Sequence, residues 1–545
     1  MRLIFIIALT CCSILSSFAF TIVDGYMDRT SYRPGDTARV YLNASIVLPG
    51  YRLYLCDVAG NRADSVVTTL FPQGISNPEP WMNGFGYQVT FSWIIPQNFP
   101  GGIYNWAGKV FFVVKNPLKN AVITVIYPTN TEAAYNDAGG KSLYDFNSAG
   151  GRAAVVSFQR PLSAFILSDV RTFVKRFLEW IPSQGLDIQY IADADMDDYE
   201  EIRHSRIAVA IGHSEYWSKA ARLNLDAFVG EGNHAVILSG NTMWWQVRYN
   251  SDKKQLVCYK DASLDPEPDN LLKTINWPDT LLHYPVLNSI GADFVHGAYG
   301  MKDFHGWYGY RILTPASPLL EGTGLTLNQV LSCQSVELDG TLFYSFTPGG
   351  DPVLDTTTLG FCKIEMIGYD YGKGIYTWGP EKGYGTFIAF KKSLLSGNVV
   401  NTGFTNWCSK NGGQGAAGGF GGADSARIKK ITLNILQKLQ EGTSIFSVPE
   451  NCPVTGNEDP VHGKTRIFVS PNPGTGEFHL SGEGLPGKPV RLELYNTIGR
   501  CVFSGELSKK DAYWFSVSFL PGGIYFYRTT NAPGTAGSGK VIIVK

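Results

Sequence analysis

Residues 121–136 read AVITVIYPTNTEAAYN. The first seven form a continuous apolar, β-branched run, the pattern of a strand buried on both faces rather than of a half-solvated one. The rest is a polar and aromatic cluster that begins where the strand stops. Further along, Phe165, Ile166, Val170, Phe173, Val174, Phe177 and Leu178 recur at intervals of three and four within 162–181, as one buried face of a helix requires. Residues 186–192 and 207–211 read as further apolar strands, 218–229 as a helix started by Ser218, and 234–238 as another strand. Strand and helix alternate, so a parallel sheet with helices packed on it is predicted.

Upstream the rhythm is different. Short β-rich runs at 37–42, 51–56, 87–94 and 110–114 are separated by turn chemistry such as YRPGD at 32–36 and FPGG at 99–102. This predicts an antiparallel β-sandwich over 20–116. The central α/β domain extends over 117–445, with 245–400 inserted as strands and long loops and a helical run at 426–439 closing it. The Gly-rich loop at 409–422 lacks the GxGxxG or GxxxxGK spacing that cradles phosphate. Residues 446–464 read as a linker, and 465–545 as a last all-β module.

The 545 residues suffice for three or four domains at roughly 150 residues each. With 46 Lys+Arg against 47 Asp+Glu the formal net charge is -1, so no global basic field gathers phosphates; nucleic acid is disfavoured, and none is expected as a partner. Charged residues make up 17%, aromatics 13%, and 60 residues are glycine, a profile of β-rich or α/β exported proteins rather than of disorder. Arg2, an apolar run over 3–15 and small residues up to Ala19 read as a signal peptide over 1–19. No later run is long enough to cross a bilayer, so no transmembrane anchor is expected. Nine cysteines, two of them in the signal, and no CxxC are too sparse for a disulfide framework or a thiolate zinc site.

In an open parallel sheet the C-terminal strand ends converge on one edge, where sites form. Three apolar strands here run into polar clusters: 128–136, GHSEYWS at 212–218 and SGNTMWW at 239–245. His213 and Glu215 lie two apart and share one face if the extended conformation continues past Gly212. Two readings stay open for the pair: a metal ligand with its polar neighbour or an acid–base pair, against a helix-capping Glu215 and a core His213. Asp193, Asp195, Asp197 and Asp198 imitate the start of a calcium loop, but Gly is missing at its sixth position and Glu at its twelfth, so acidic residues opening the next helix are the better reading. Neither GxSxG nor HExxH occurs.

Seven ordered motifs over about residues 22–442 resemble the large (beta) subunit of N,N-dimethylformamidase: YPTNTEAAYN at 127–136, SFQRP at 157–161, GHSEYWS at 212–218, SGNTMWWQVR at 239–248, EGTGL at 321–325, VELDG at 336–340 and NTGFTNWC at 401–408. The resemblance implies a glutamine-amidotransferase-like central α/β domain and hydrolysis of a small or medium amide at a mononuclear ferric (Fe3+) site held by two tyrosinates and a glutamate. By motif, Tyr135 and Glu215 are implied as metal ligands, with Tyr104 in the turn Gly102-Ile103-Tyr104 as the third. The alternative for Tyr104 is a core tyrosine of the sandwich. His213 is implied as the polar neighbour of the metal, Asn241 as the group that binds the amide oxygen, and Glu337 as the general base.

The last module resembles a type IX secretion sorting domain, on SPNPG at 470–474, NTIG at 496–499, LPGGIY at 520–525 and the terminal Lys545. This implies passage through the periplasm, the type IX secretion machinery as partner, and release or attachment outside a Gram-negative cell. The expected architecture is therefore multidomain: N-terminal β-sandwich, central α/β domain, C-terminal β-sandwich sorting domain. The expected function is an exported iron-dependent amide hydrolase. The rival is a non-catalytic surface-binding protein that keeps the fold. The two differ in geometry, since the hydrolase needs oxygens of Tyr104, Tyr135 and Glu215 within roughly 2–3 Å of one point.

Overall fold

The computed structural model describes residues 22–299, 308–372, 374–375, 382–411, 418–448, 467–470, 474–482, 490–496, 500–508, 513–530 and 536–544. The expected signal at 1–19, nearly all of the linker at 446–464, part of the Gly-rich loop and Lys545 lie outside them. The chain divides into two compact units, Met1–Pro453 and Val454–Lys545.

In the first unit, the N-terminal strands form two sheets over a shared core. One has three strands, Ile22–Met27, Thr37–Ala44 and Phe91–Ile94; the other has five, in the order Ser31–Tyr32, Val110–Val114, Gly102–Trp106, Leu48–Asp57, Arg62–Leu70. Alternate residues of Thr37–Ala44 point inward, and Val40, Leu42, Leu55, Trp93, Trp106 and Phe112 fill the space between the sheets. The strand expected over 87–94 begins only at Phe91.

The central sheet is built on the 121–136 stretch. We number its strands β1 (Ile123–Tyr127), β2 (Ile188–Ala192), β3 (Ile207–Gly212), β4 (His234–Ser239), β5 (Tyr310–Ile312), β6 (Val330–Leu331), β7 (Lys363–Asp370), β8 (Thr386–Lys391) and β9 (Asn398–Asn401). The order is β2-β1-β3-β4-β9-β8-β7-β5-β6. The first five of these are parallel, as strand–helix alternation predicts. From β9 onward the pairing is antiparallel, so the inserted region completes the same sheet with hairpin-like neighbours. Every residue of β1, β3 and β4 is buried, the cause of their uninterrupted apolar runs.

The longer helices among the described residues are α1 (Thr129–Tyr135), α2 (Thr172–Trp180), α3 (Lys219–Gly230) and α4 (Ser425–Glu441). Ser218 caps α3, its Oγ accepting from the Ala221 N–H at 3.0 Å. The helix expected over 162–181 enters through a π-helical turn, Ile166–Val170, before α2 starts. The wider turn changes which residues face the core: Ile166, Val170, Val174, Phe177 and Leu178 are buried, whereas Phe165 and Phe173, expected on the same face, stay half-exposed. The acidic run at Asp193–Asp197 forms a single 3₁₀ turn instead of opening a longer helix.

A second four-stranded sheet, in the order Glu337–Gly340, Asp293–Tyr299, Gly374–Ile375, Lys382–Gly383, is part of the inserted region. The unit from Val454 on has its own core of Phe478, Leu492, Leu494, Val517 and Val541 between a three-stranded and a four-stranded sheet. No helix among the described residues is long and apolar enough to cross a membrane.

Candidate active site

The strands β1, β3 and β4 are parallel and end on the same edge, so the segments that leave them meet there. The chain does not remain extended past β3. Gly212 has φ +68, and a Cβ there would meet Val174 at 2.5 Å, so the turn needs glycine. His213 and Glu215 nevertheless end up facing each other, with Nε2 3.2 Å from Oε2 of Glu215. Helix α1 holds this segment from the side: Thr131 Oγ1 accepts from the Glu215 N–H at 3.2 Å, and Asn130 Nδ2 donates to the Tyr216 carbonyl at 3.0 Å. Since Ser218 caps α3, Glu215 is free for other work.

That work is done with two phenols. Tyr135 Oη donates to Glu215 Oε2 at 2.9 Å and Tyr144 Oη donates to Oε1 at 2.6 Å, the two rings lying 4.3 Å apart. Tyr104 is not part of this cluster. Its ring sits in the sandwich core between Phe99 and Phe112, and its hydroxyl donates to the Pro100 carbonyl at 3.0 Å, the core-tyrosine alternative. The strand Gly102–Trp106 belongs to the sandwich sheet and directs Tyr104 into that sheet's own core. The second phenol on Glu215 is Tyr144, brought back by the loop after α1.

Arg160 of the SFQRP motif keeps that loop in place. Its buried guanidinium donates to the carbonyls of Ala133, Ala138, Lys141 and Ser157 at 2.7–3.0 Å. Asn147 Nδ2 adds a bond to the Tyr135 carbonyl at 2.8 Å, and the Leu143 N–H donates to the Ala134 carbonyl at 2.9 Å.

On the other side of His213 stands Glu337, its Oε2 3.0 Å from Nε2. Neither carboxylate is aligned for a hydrogen bond to that nitrogen, and Nε2 of His213 and Oε2 of Glu337 are buried without such a partner among the described residues. Asn241 joins them on the turn after β4, at φ +49, with its buried Oδ1 likewise unpartnered. Gly240 permits this approach, since a Cβ there would meet Thr405 N at 2.6 Å and the Glu337 carbonyl at 2.8 Å. The Thr242 N–H donates to Asp339 Oδ2 at 3.2 Å, which ties the turn to the strand that carries Glu337.

The electrostatics follow from this packing. Burial and the adjacent Glu215 carboxylate push both phenols well above their usual range, so each keeps its proton and donates. Burial opposes charge on His213 and on Glu215, but for His213 the two carboxylates outweigh it and hold the imidazole up at about 10. For Glu215, His213, Lys260 and the Tyr144 hydroxyl together keep the carboxyl below the usual range.

Sequence reasoning missed three residues besides Tyr144 and Arg160's role. Lys260 places its ammonium 3.3 Å from the centre of the Tyr144 ring and 4.7 Å from that of Trp245, and donates to Tyr216 Oη at 2.9 Å; burial lowers it to about 8. Tyr299 pairs across from Glu337 in the second sheet, and the Glu337 charge, with burial, drives its phenol well up. Phe173 packs edge-on against His213 at 5.5 Å. A tyrosine nine residues beyond Tyr135 in a glycine-bearing loop was the one local hint of Tyr144.

The groups that could hold a cation here are hard oxygens: the Glu215 carboxylate and the hydroxyls of Tyr135 and Tyr144. Among the described residues no group of three or more His, Cys, Asp or Glu is spaced to hold a metal, so the phenols have to complete any donor set at this place.

Residues 61–412 match the family described as N,N-dimethylformamidase beta subunit-like, C-terminal. Residues 468–545 match the secretion system C-terminal sorting domain, of the type IX system, which directs the chain to the cell surface or out of the cell. No curated protein matches the chain.

Proposed function

The chain belongs to the N,N-dimethylformamidase beta subunit-like family, and on that premise we propose that it is an exported hydrolase of a small or medium amide that uses mononuclear iron. Family membership points to an amidohydrolase-like function, and the sorting tail accounts for export. The observation that carries the reading is the convergence of Tyr135 and Tyr144 on Glu215, with His213 and Glu337 beside them. We also read the central domain as glutamine-amidotransferase-like, supported by the parallel strands whose common edge bears these residues. The signal peptide at 1–19 and the boundaries near 116 and 445 belong to the same reading.

Tyr135, Tyr144 and Glu215 would hold the iron; all three offer oxygen to a hard ion, and a trivalent charge would reverse the pressure that keeps the phenols protonated. The metal would supply Lewis acidity at that point. The remaining chemistry is done by the chain. Glu337, buried with its Oε2 3.0 Å from the His213 ring, takes a proton from the attacking water as the C–O bond forms. His213, with Nε2 3.2 Å from Glu215 and 3.0 Å from Glu337, orients both carboxylates and offers a polar neighbour to the oxyanion that develops on the amide carbonyl. Asn241 binds the substrate through its carboxamide, with Nδ2 directed to the amide oxygen. As the C–N bond breaks, the proton held by Glu337 passes to the departing amine.

The test is amine release from N,N-dimethylformamide and a panel of small amides by the purified, iron-loaded protein, before and after chelation. Turnover that needs iron and is lost in Glu337→Gln is expected. No turnover of any amide by the iron-loaded protein would overturn the reading.

A further inference from the structure

We propose that this site takes amides bearing an aromatic group, and that Phe146 is the residue that selects them. The inference deepens the amidase reading and rests on it.

Phe146 is 68% exposed, yet it is not a stray surface side chain. Its ring lies 5.6 Å from that of Tyr144, 6.4 Å from that of Tyr135 and 6.1 Å from that of Phe165. Tyr135 and Tyr144 are only partly buried, and their hydroxyls sit on Glu215. An aromatic strip therefore leads from solvent to the carboxylate at the centre of the candidate site.

The loop presents Phe146 on a fixed platform. Asp145–Asn147 forms a 3₁₀ turn, Asp145 Oδ1 accepts from the Arg152 N–H at 2.9 Å, and Asn147 is tied to the Tyr135 carbonyl. A ring held in place costs little ordering on binding, which is how an exposed aromatic becomes a useful contact. Further rings come from the two ends of the π-helical turn and the helix it leads into. By shifting register the turn withdraws Phe165 and Phe173 from the core, Phe165 toward Phe146 and Phe173 against His213. Such turns inside helices recur at functional sites. A flat apolar group laid on the strip can meet ring faces and edges in the way aromatic pairs prefer, while its amide is directed toward Asn241 and Glu337. A one-carbon substituent leaves the strip uncovered.

Isothermal titration with phenylacetamide and N-benzylformamide, each against acetamide as the ringless reference, tests this on the full-length protein. At least one ring-bearing amide should bind more tightly than acetamide, and Phe146→Ala should shrink that affinity ratio about two- to tenfold. Phe146→Tyr, which keeps the ring, should restore it. Equal affinities, no saturable binding of any of the three amides, or a ratio that survives Phe146→Ala would overturn the proposal. Turnover separates the two claims: selective binding without amide hydrolysis refutes the hydrolase reading and leaves the aromatic subsite standing. Hydrolysis with no preference for a ring does the reverse.

Discussion

Two tyrosine-to-phenylalanine substitutions distinguish the phenol on the Glu215 carboxylate from the phenol in the sandwich. Tyr144→Phe removes a 2.6 Å hydrogen bond to a buried carboxylate, and bonds to charged groups contribute about 1.5–3 kcal/mol. Glu215 Oε1 is then left without that donor, so the cost should lie at the upper end. Tyr104→Phe removes a neutral bond of 3.0 Å to the Pro100 carbonyl, worth about 0.5–1.5 kcal/mol, and leaves every group around Glu215 untouched. Denaturant unfolding monitored by tryptophan fluorescence reads the stability difference. Iron loading followed by visible spectroscopy reads the ligand difference, because phenolate-to-iron charge transfer absorbs visible light. Tyr144→Phe should weaken or shift the band and Tyr104→Phe should keep it. A band lost in Tyr104→Phe but retained in Tyr144→Phe would refute the assignment of the second ligand.

Arg160→Met should destabilise the Tyr144 loop and, with it, the first unit by about 2–4 kcal/mol, because four carbonyls, two of them buried and two part-buried, lose their donor at ~0.5–1 kcal/mol each; calorimetric unfolding of the variant checks this. Stability should also fall on acidification. Burial and Arg206 lower His234 to about 4, and its neutral Nδ1 accepts from the Asn398 N–H at 2.9 Å. An unfolded histidine binds its proton near pH 6.5, so stability present above that pH is lost as pH drops toward 4, by up to ~3 kcal/mol, and His234→Gln should flatten the profile in that window. Removing residues 465–545 should leave the first unit folded, since among the described residues its hydrophobic clusters are made of its own side chains. Cell fractionation should find that truncated chain in the periplasm, and unfolding of the central unit would contradict the division.

The parts of this molecule that sequence makes plain are those coded locally. A strand buried on both faces must be apolar throughout, so β1, β3 and β4 announce themselves, and the polar segments that follow them mark one edge by the logic of parallel pairing. His213 and Glu215 were visible for that reason, although the turn at Gly212 brings them together by a route different from a continued strand. What stayed hidden depends on long-range placement. Tyr144 sits on a loop that Arg160 ties back through its carbonyls, and Lys260 and Tyr299 arrive from segments whose placement cannot be read from periodicity. The placement of Tyr104 apart from the cluster has the same origin: a tyrosine in a turn looks available until the sandwich core takes up its ring. The π turn hid the role of Phe165 and Phe173, because a period of 3.6 has no allowance for one wider turn.

The most direct test of the central claim is the iron content of the purified full-length chain, measured by elemental analysis beside that of Glu215→Gln. The account predicts about one iron per chain, by the single-site geometry of one carboxylate and two phenols, and its loss when Glu215 gives up its charge. Zinc in place of iron, no metal at all, or iron content unchanged in Glu215→Gln would contradict it.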